Sequence, residues 1–583
     1  MVTRVHAKPS AAAPSPVVRR TRTARTAPPA QPVVAEPEAV QTVAPRRRKP
    51  AASAAGTRVQ DVAKGVVSGV VGSVVQGLAK GVAAANVNGA IKGVLGLAGQ
   101  RMSKVDTAWL RMDSRANLMM IVGVWILKPA ITYAALCQRV QERLVPVARF
   151  RQMAVADAAG ATWVHDPAFD VQRHVVREVL SAPQGQQALQ QRVAELSMQP
   201  LDRGHPLWQF HLVEDYDGGS ALIARIHHCI ADGIALIHVM MGLVDGGEDA
   251  LRSPRQQRRS QADDDGEGRT GGPQAWLADS LVRPLTQLAT RALDAAGDGV
   301  AMSLDMVTHP GQGIDRTLQT TLGVARMGGQ VLRDMGALAL MPDDSPTSLK
   351  GRPHAHKAVA WCDPISLDEV KAVGRVLGCS VNDVLLSCVA GALGAYLQQR
   401  GESVAGKEIR AMVPVNLRPL DEAWKLGNRF GLVPLVLPIG IAHPIERVYA
   451  VRQRMQALKG STQPLLAFGL LSVAGLLVKP AQEAMLGLFS RKTSAVMTNV
   501  PGPSQKLAFC GATLEQTMFW VPQSGDIGVG VSILSYGGGV QFGLITDTGM
   551  CAQPQLVIDQ FAPQFASLSW LSLMLPWGEE ALG

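Results

Sequence analysis

Cysteine is scarce in this chain and never paired. The seven cysteines, at positions 137, 229, 362, 379, 388, 510 and 551, stand singly with no Cys-x-x-Cys spacing. That pattern excludes a disulfide framework and a zinc ribbon, and it fits a reducing compartment. Acidic residues are nearly missing from residues 1–60, where only Glu36 and Glu38 face eleven Lys and Arg. This tail therefore carries +9 of the net charge of +10, and the rest of the chain is close to neutral. A nucleic-acid partner, which the total charge would suggest, is excluded for the body. No secretory signal opens the sequence, and no Gly-x-Ser-x-Gly elbow occurs, which disfavours a serine hydrolase. A confident transmembrane run is also lacking. Residues 61–101 are rich in Val, Gly, Ala and Leu, but Lys64, Lys80 and Lys92 interrupt them.

What remains is ample for large cores: 583 residues, of which 47% are apolar. Residues 1–60 are read as a disordered basic tail, because a segment rich in Ala, Pro and Arg cannot bury a core. Its clusters Arg19-Arg20 and Arg46-Arg47-Arg48-Lys49 suit anionic lipid, an organelle transit peptide or a plain solvated linker. Residues 61–101 read as a Gly-rich, membrane-associating segment lying on a surface. Residues 102–245 form a first folded part, in which Asp106 is expected to cap a short helix. Residues 246–273, charged and Gln/Arg/Asp/Gly-rich, read as a disordered insert. Residues 274–350 read as a helical connection, and residues 351–583 as a second folded part. Strands alternate with helices in both, which predicts an α/β layered protein.

The chemistry is concentrated in residues 221–238. An apolar run, Ala221 to Ile226, predicts a buried strand that ends abruptly in His227 and His228. Asp232 and Gly233 follow, and Gly233 is expected to let the backbone turn tightly. An imidazole at a core edge titrates near neutrality, so it can take a proton from a hydroxyl and return it to a leaving group. Two core-edge histidines beside an Asp-Gly turn are the competing reading. No Cys or carboxylate cluster with ligand spacing lies nearby, so no metal and no cofactor are expected.

His227 to Gly233 matches the His-His-x-x-x-Asp-Gly motif of coenzyme-A-dependent acyltransferases. Five further stretches resemble, in order, the motifs of the bacterial wax ester synthase/diacylglycerol acyltransferase family. They are Pro206-Leu207-Trp208, Val381-Asn382-Asp383-Val384, Val413 to Arg418, Gly427 to Gly431, and Thr498 to Pro503. The resemblance covers roughly residues 102–560 and implies two chloramphenicol-acetyltransferase-like halves with the active site in a channel between them. It implies O-acyl transfer from long-chain acyl-CoA, as co-substrate, to diacylglycerol or a fatty alcohol. The rival readings are a condensation-type acyltransferase of the same superfamily and a non-catalytic lipid-binding protein.

Carried onto these residues, the resemblance makes His228 the general base and His227 its support. Asp232 is structural, held by an arginine elsewhere, or alternatively orients the base as in a triad. Asn382 either caps its helix or stabilises the oxyanion. Asp383 would contact substrate or be a first-turn charge stabilising its helix. Pro206, Leu207 and Trp208 would contact substrate, with Trp208 walling the channel, or, for Pro206 and Trp208, be plain packing. Asn499, Pro501 and Gly502 would line the coenzyme-A entrance or belong to a structural turn. Residues 1–101 would hold a cytoplasmic enzyme at a membrane or lipid-droplet surface.

Overall fold

The apolar run that ends in His227 becomes strand β7 (Gly219–His227), buried at eight of its nine positions. Burial on both faces explains why it reads as a continuous hydrophobic run rather than an alternation. It pairs antiparallel with β2 (Met120–Lys128) on one side and β6 (Trp208–Tyr216) on the other. Asp217 and Gly218, both at positive φ (51° and 70°), close the β6–β7 hairpin. The computed structural model describes residues 99–157, 160–247, 343–418, 425–459, 482, 487 and 490–575. The basic tail, the Gly-rich segment up to residue 98, the charged insert beyond Gly247 and most of the helical connection read from the sequence lie outside the described residues.

Among the described residues the sheet holding β7 has six strands. Its order is β13 (Ala508–Phe509), β14 (Ala512–Trp520), β2, β7, β6 and β5 (Val175–Glu178). Two of these strands come from late in the chain: β14 pairs with β2, placing Met518 opposite Val124. The second folded part thus completes the sheet of the first. A small sheet of β1 (Gln100–Arg101), β4 (Gly160–His165) and β3 (Gln152–Asp157) lies beside it. Gln100 and Arg101, at the end of the Gly-rich stretch, therefore belong to a sheet, paired with Trp163 and Thr162.

The other large sheet runs β11 (Phe430–Leu437), β10 (Ile409–Asn416), β12 (Ala495–Pro501), β15 (Val529–Tyr536), β16 (Gly539–Asp547) and β8 (Lys357–Trp361). A two-residue strand, β9 (Ile365–Ser366), is appended to β16. It is a mixed sheet: β12 runs parallel to β10 and β15, and the remaining pairs are antiparallel.

Helices cover both sheets. The first part contributes α1 (Lys104–Met112), α2 (Tyr133–Arg139), α3 (Gln186–Ser197) and α4 (Gly233–Leu243). The second contributes α5 (Leu367–Val376), α6 (Val381–Gln399), α7 (Pro444–Lys459) and α8 (Gln555–Leu573). Helix α6 is long and apolar enough to cross a membrane, yet 78% of its apolar window is buried in the protein. It is the central core helix of its half. Residues 343–350, the described end of the expected helical connection, contain no helix. They form a strap in which the Asp344 carboxylate accepts from the Arg410 amide and the Ser494 hydroxyl.

Asp106 does not cap α1. Ser103 holds that position, its hydroxyl accepting from the Asp106 amide at 3.0 Å. This frees the Asp106 carboxylate, four per cent exposed, for a partner far along the chain. One hydrophobic core unites Trp109, Trp208, Ile226 and Leu236 with Leu417, Phe430 and Tyr536 of the second part. The end of β7 is embedded where the two parts share side chains.

Candidate active site

Neighbouring strands fix the histidine pair through its backbone. The His227 amide donates to the Leu207 carbonyl at 3.0 Å, and the His228 amide to the Met119 carbonyl at 2.7 Å. The His227 ring is fully enclosed. Its Nδ1 accepts from the Cys229 amide, and its Nε2 lies 3.2 Å from Asp113 Oδ2. Burial alone would raise the Asp113 carboxyl, but His227, the Met119 amide and Arg203 hold it below its usual range. His227 is thus committed to shaping the strand end.

His228 is held differently. Its ring stacks on Trp109, with centroids 4.1 Å apart and planes at 11°, while Phe430 approaches within 5.5 Å. Its Nδ1 lies 2.8 Å from Asn428 Oδ1. The Asn428 amide nitrogen donates to Asp106 Oδ1 at 2.8 Å and to the His228 carbonyl at 2.7 Å. The His228 carbonyl can only accept, so the nitrogen and oxygen of the Asn428 side chain are assigned by the network. Its oxygen then faces His228 as an acceptor, which requires the hydrogen on Nδ1. The free lone pair is left on Nε2. Burial drives the imidazole down to about 4, against the pull of its hydrogen bonds and of the Asp232 charge. The resting ring is neutral and ready to accept a proton.

The Asp232 carboxylate is fully engaged elsewhere. As the N-cap of α4 its Oδ1 accepts from the Ala235 amide at 2.9 Å. Its Oδ2 accepts from Arg418 Nη2 at 2.6 Å and from the Arg429 amide at 3.0 Å. Arg418 also donates to the Gly427 carbonyl at 2.6 Å and to the Lys425 carbonyl. Both partners of the Asp232–Arg418 pair are buried. Asp232 ties the loop carrying Asn428 to the loop carrying His228, and Asn428 occupies the place at Nδ1 that a triad aspartate would take.

Gly233 departs from expectation. Its φ is not positive, so no tight turn requires a glycine there. A Cβ built on it would meet nothing within 4 Å, because it borders two cavities. One, of about 900 Å³ with open solvent included, is lined by His228, Trp109, Asp232, Asn416, Phe430, Thr498 and Asn499 among others. The second, of about 790 Å³ on the same measure, is almost wholly apolar, bounded by Ile121, Trp125, Leu236, Met240, Met518 and Leu534 among others.

The other predicted residues divide. Asn499 and Pro501 line the reactive cavity, and Pro501 and Gly502 the apolar one. Trp208 does not wall a channel. It is fully buried, donates from Nε1 to the Phe150 carbonyl at 2.9 Å, and stacks on His174 at 4.4 Å. Pro206 and Leu207 are buried with it and border neither cavity, so the three residues brace the histidine strand from behind. Asp383 is buried and completes a capping box with Ser380 at the start of α6, which removes it from any substrate contact in this arrangement. The cap is therefore Ser380 and not Asn382. Asn382 is exposed and borders neither cavity, and its Oδ1 accepts from Nδ2 of the cavity-lining Asn499 at 2.9 Å.

Residues 102–385 match the catalytic domain of wax ester synthase/diacylglycerol acyltransferases, and residues 426–569 match the C-terminal domain of the same family. The chain belongs to the wax ester synthase/diacylglycerol acyltransferase family. The two matched stretches supply the two sides of the site, His228 from the first and Asn428 with Phe430 from the second. Two probable diacylglycerol O-acyltransferases of Mycobacterium tuberculosis are similar. One is 26% identical over 463 residues, covering 77% of this chain and 92% of its own length. The other is 26% identical over 454 residues, covering 76% and 92%. The wax ester synthase/diacylglycerol acyltransferase of Marinobacter aquaeolei has the same fold, with a TM-score of 0.55 at 20% identity. That superposition covers 82% of this chain and 100% of the other.

Sequence reasoning passed over Asn428, Asp106 and Trp109 as parts of the site. The only signal for Asn428 was its place in the Gly-Asn-Arg-Phe-Gly block. Nothing local in the sequence links Asp106 or Trp109 to a histidine more than a hundred residues away.

Proposed function

We propose that this acyltransferase moves a long-chain acyl group from acyl-CoA directly onto the hydroxyl of a diacylglycerol or fatty alcohol, giving triacylglycerol or wax ester. The observation that carries the reading is the pinned His228 ring, with Nδ1–H held by Asn428 and Nε2 left as the base. Nε2 takes the hydroxyl proton as the acceptor oxygen attacks the thioester carbonyl. The tetrahedral intermediate collapses, the carbon–sulfur bond breaks, and the imidazolium returns the proton to the coenzyme-A thiolate. General base catalysis of this kind contributes roughly 10²–10⁴-fold. The stacked Trp109 face would favour the transient imidazolium.

No covalent acyl-enzyme enters this scheme. Cys229, beside the base, is fully buried, and burial pushes its thiol well above the usual range, so it is a poor nucleophile. Asn382, which borders neither cavity, would act on the oxyanion through Asn499, whose amide it holds at the wall of the reactive cavity. No cofactor beyond the acyl-CoA co-substrate is invoked. The apolar cavity suits an aliphatic chain. Residues 1–101 would hold the enzyme in the cytoplasm at a membrane or lipid-droplet surface, where such acceptors dissolve. The +9 tail is attracted to anionic head groups at about 1 kcal/mol per basic residue.

Purified full-length protein given one labelled long-chain acyl-CoA with diacylglycerol and fatty alcohol in competition should release free thiol and ester in equal amounts. Thiol release without ester would overturn the reading. Flotation with anionic vesicles should require residues 1–101, and equal binding by a chain starting at Met102 would contradict their role.

A further inference from the structure

We infer that Gly233 is a specificity-determining residue: its missing side chain is the opening through which an aliphatic substrate chain passes from the reactive cavity into the apolar one. The inference rests on the acyl-transfer reading above. The two cavities share a wall made by Gly233, Val500, Pro501 and Phe519. Three of these present side chains to both cavities. At the fourth, a Cβ would meet no atom within 4 Å, so the space beside the backbone is open.

Neither backbone conformation nor close packing requires a glycine here. The φ of Gly233 is not in the left-handed region, so conformation does not demand it. No neighbouring backbone approaches closely, in contrast to Gly247, where a Cβ would stand 1.9 Å from the Met241 carbonyl oxygen. Gly233 also opens α4 at a position where Ala is the better helix former, so the glycine acts against local propensity. What it supplies is vacant volume five residues after His228, where a chain bound to a reacting carbonyl or hydroxyl must turn aside. The ligand is an aliphatic chain, and it can belong to the acyl donor or to the alcohol acceptor.

The experiment compares wild type with Gly233→Ala and Gly233→Leu, both made in the full chain. Each is assayed for kcat/KM across short, medium and long acyl-CoA with a fixed alcohol, and then across an alcohol series with a fixed acyl-CoA. Thermal unfolding controls for folding, and Gly233→Ala should melt no lower than wild type. The inference expects the long-to-short ratio in one series to fall about tenfold or more with Ala and further with Leu, in line with the 10–200-fold discrimination of hydrophobic pockets. The series that responds identifies the chain as donor or acceptor. Uniform loss across both series in a folded Ala variant, or no change in either, overturns the inference. Failure of wild type to form ester with any pair would instead count against acyl transfer itself.

Discussion

Asn428 Oδ1 stands 2.8 Å from His228 Nδ1, and the His228 carbonyl, which can only accept, fixes which end of that amide faces the ring. One side chain from the second half thereby sets the tautomer of the base in the first. The carboxylate that would do this in a triad is present in Asp106, but one residue further back and 2.8 Å from the amide nitrogen. Burial raises the Asp106 carboxyl, opposed by its bonds to Asn428.

Asn428→Ala should lower kcat by ~10²–10⁴-fold, as expected when a histidine base loses its tautomer partner. Asn428→Asp would place a carboxylate against Nδ1 and should move the acid limb of kcat/KM upward from about pH 4. A pH–rate profile reads this directly. An Asn428 that only packed the loop would leave the limb where it is.

Arg418→Ala leaves the Asp232 carboxylate buried and unpaired, so it should cost about 3–5 kcal/mol of stability. Activity should fall with it, because the loop carrying Asn428 loses its tie to the loop carrying His228. Thermal unfolding and initial rates measured together check both. An unfolding midpoint within a degree of wild type would mean the pair contributes little to joining the halves.

Asn382→Ala removes no helix cap, since Ser380 and Asp383 form the capping box. The unfolding midpoint should hold while turnover drops ~10²–10³-fold, the loss typical of a missing oxyanion donor. Unchanged turnover would take Asn382 out of the chemistry.

Stability should fall on mild acidification. Burial brings His228 and His211 each down to about 4, against about 6.5 in an unfolded chain. Unfolding therefore takes up protons between those values, and stability declines as pH drops from about 6.5 towards 4, by about 1.4 kcal/mol per group per unit. Asp106, with its raised carboxyl, acts in the opposite sense at the acid end. Chemical denaturation at pH 7 and pH 5 measures the difference, and equal stabilities would show that these rings protonate without penalty.

The sequence is legible where function and local pattern coincide. The buried strand ending at His228, the α6 start at Val381, and the hairpin between β15 and β16 all follow from runs of neighbouring residues. Other features depend on contacts between distant segments. Nothing in residues 512–520 announces that β14 joins the first sheet, because a strand pattern does not name its partner. Trp208 beside a motif invites a role at the channel, yet the β6–β7 register turns it into the core against Phe150 and His174. Gly233 reads as a turn glycine until its φ and the space beside it are known.

The central claim is that His228 is the base for direct acyl transfer, and a single substitution tests it. His228→Ala in the full chain, given labelled acyl-CoA with diacylglycerol and fatty alcohol, should lose ester formation by at least ~10²-fold with an unchanged circular dichroism spectrum. A folded His228→Ala protein that keeps most of the wild-type rate would contradict the account.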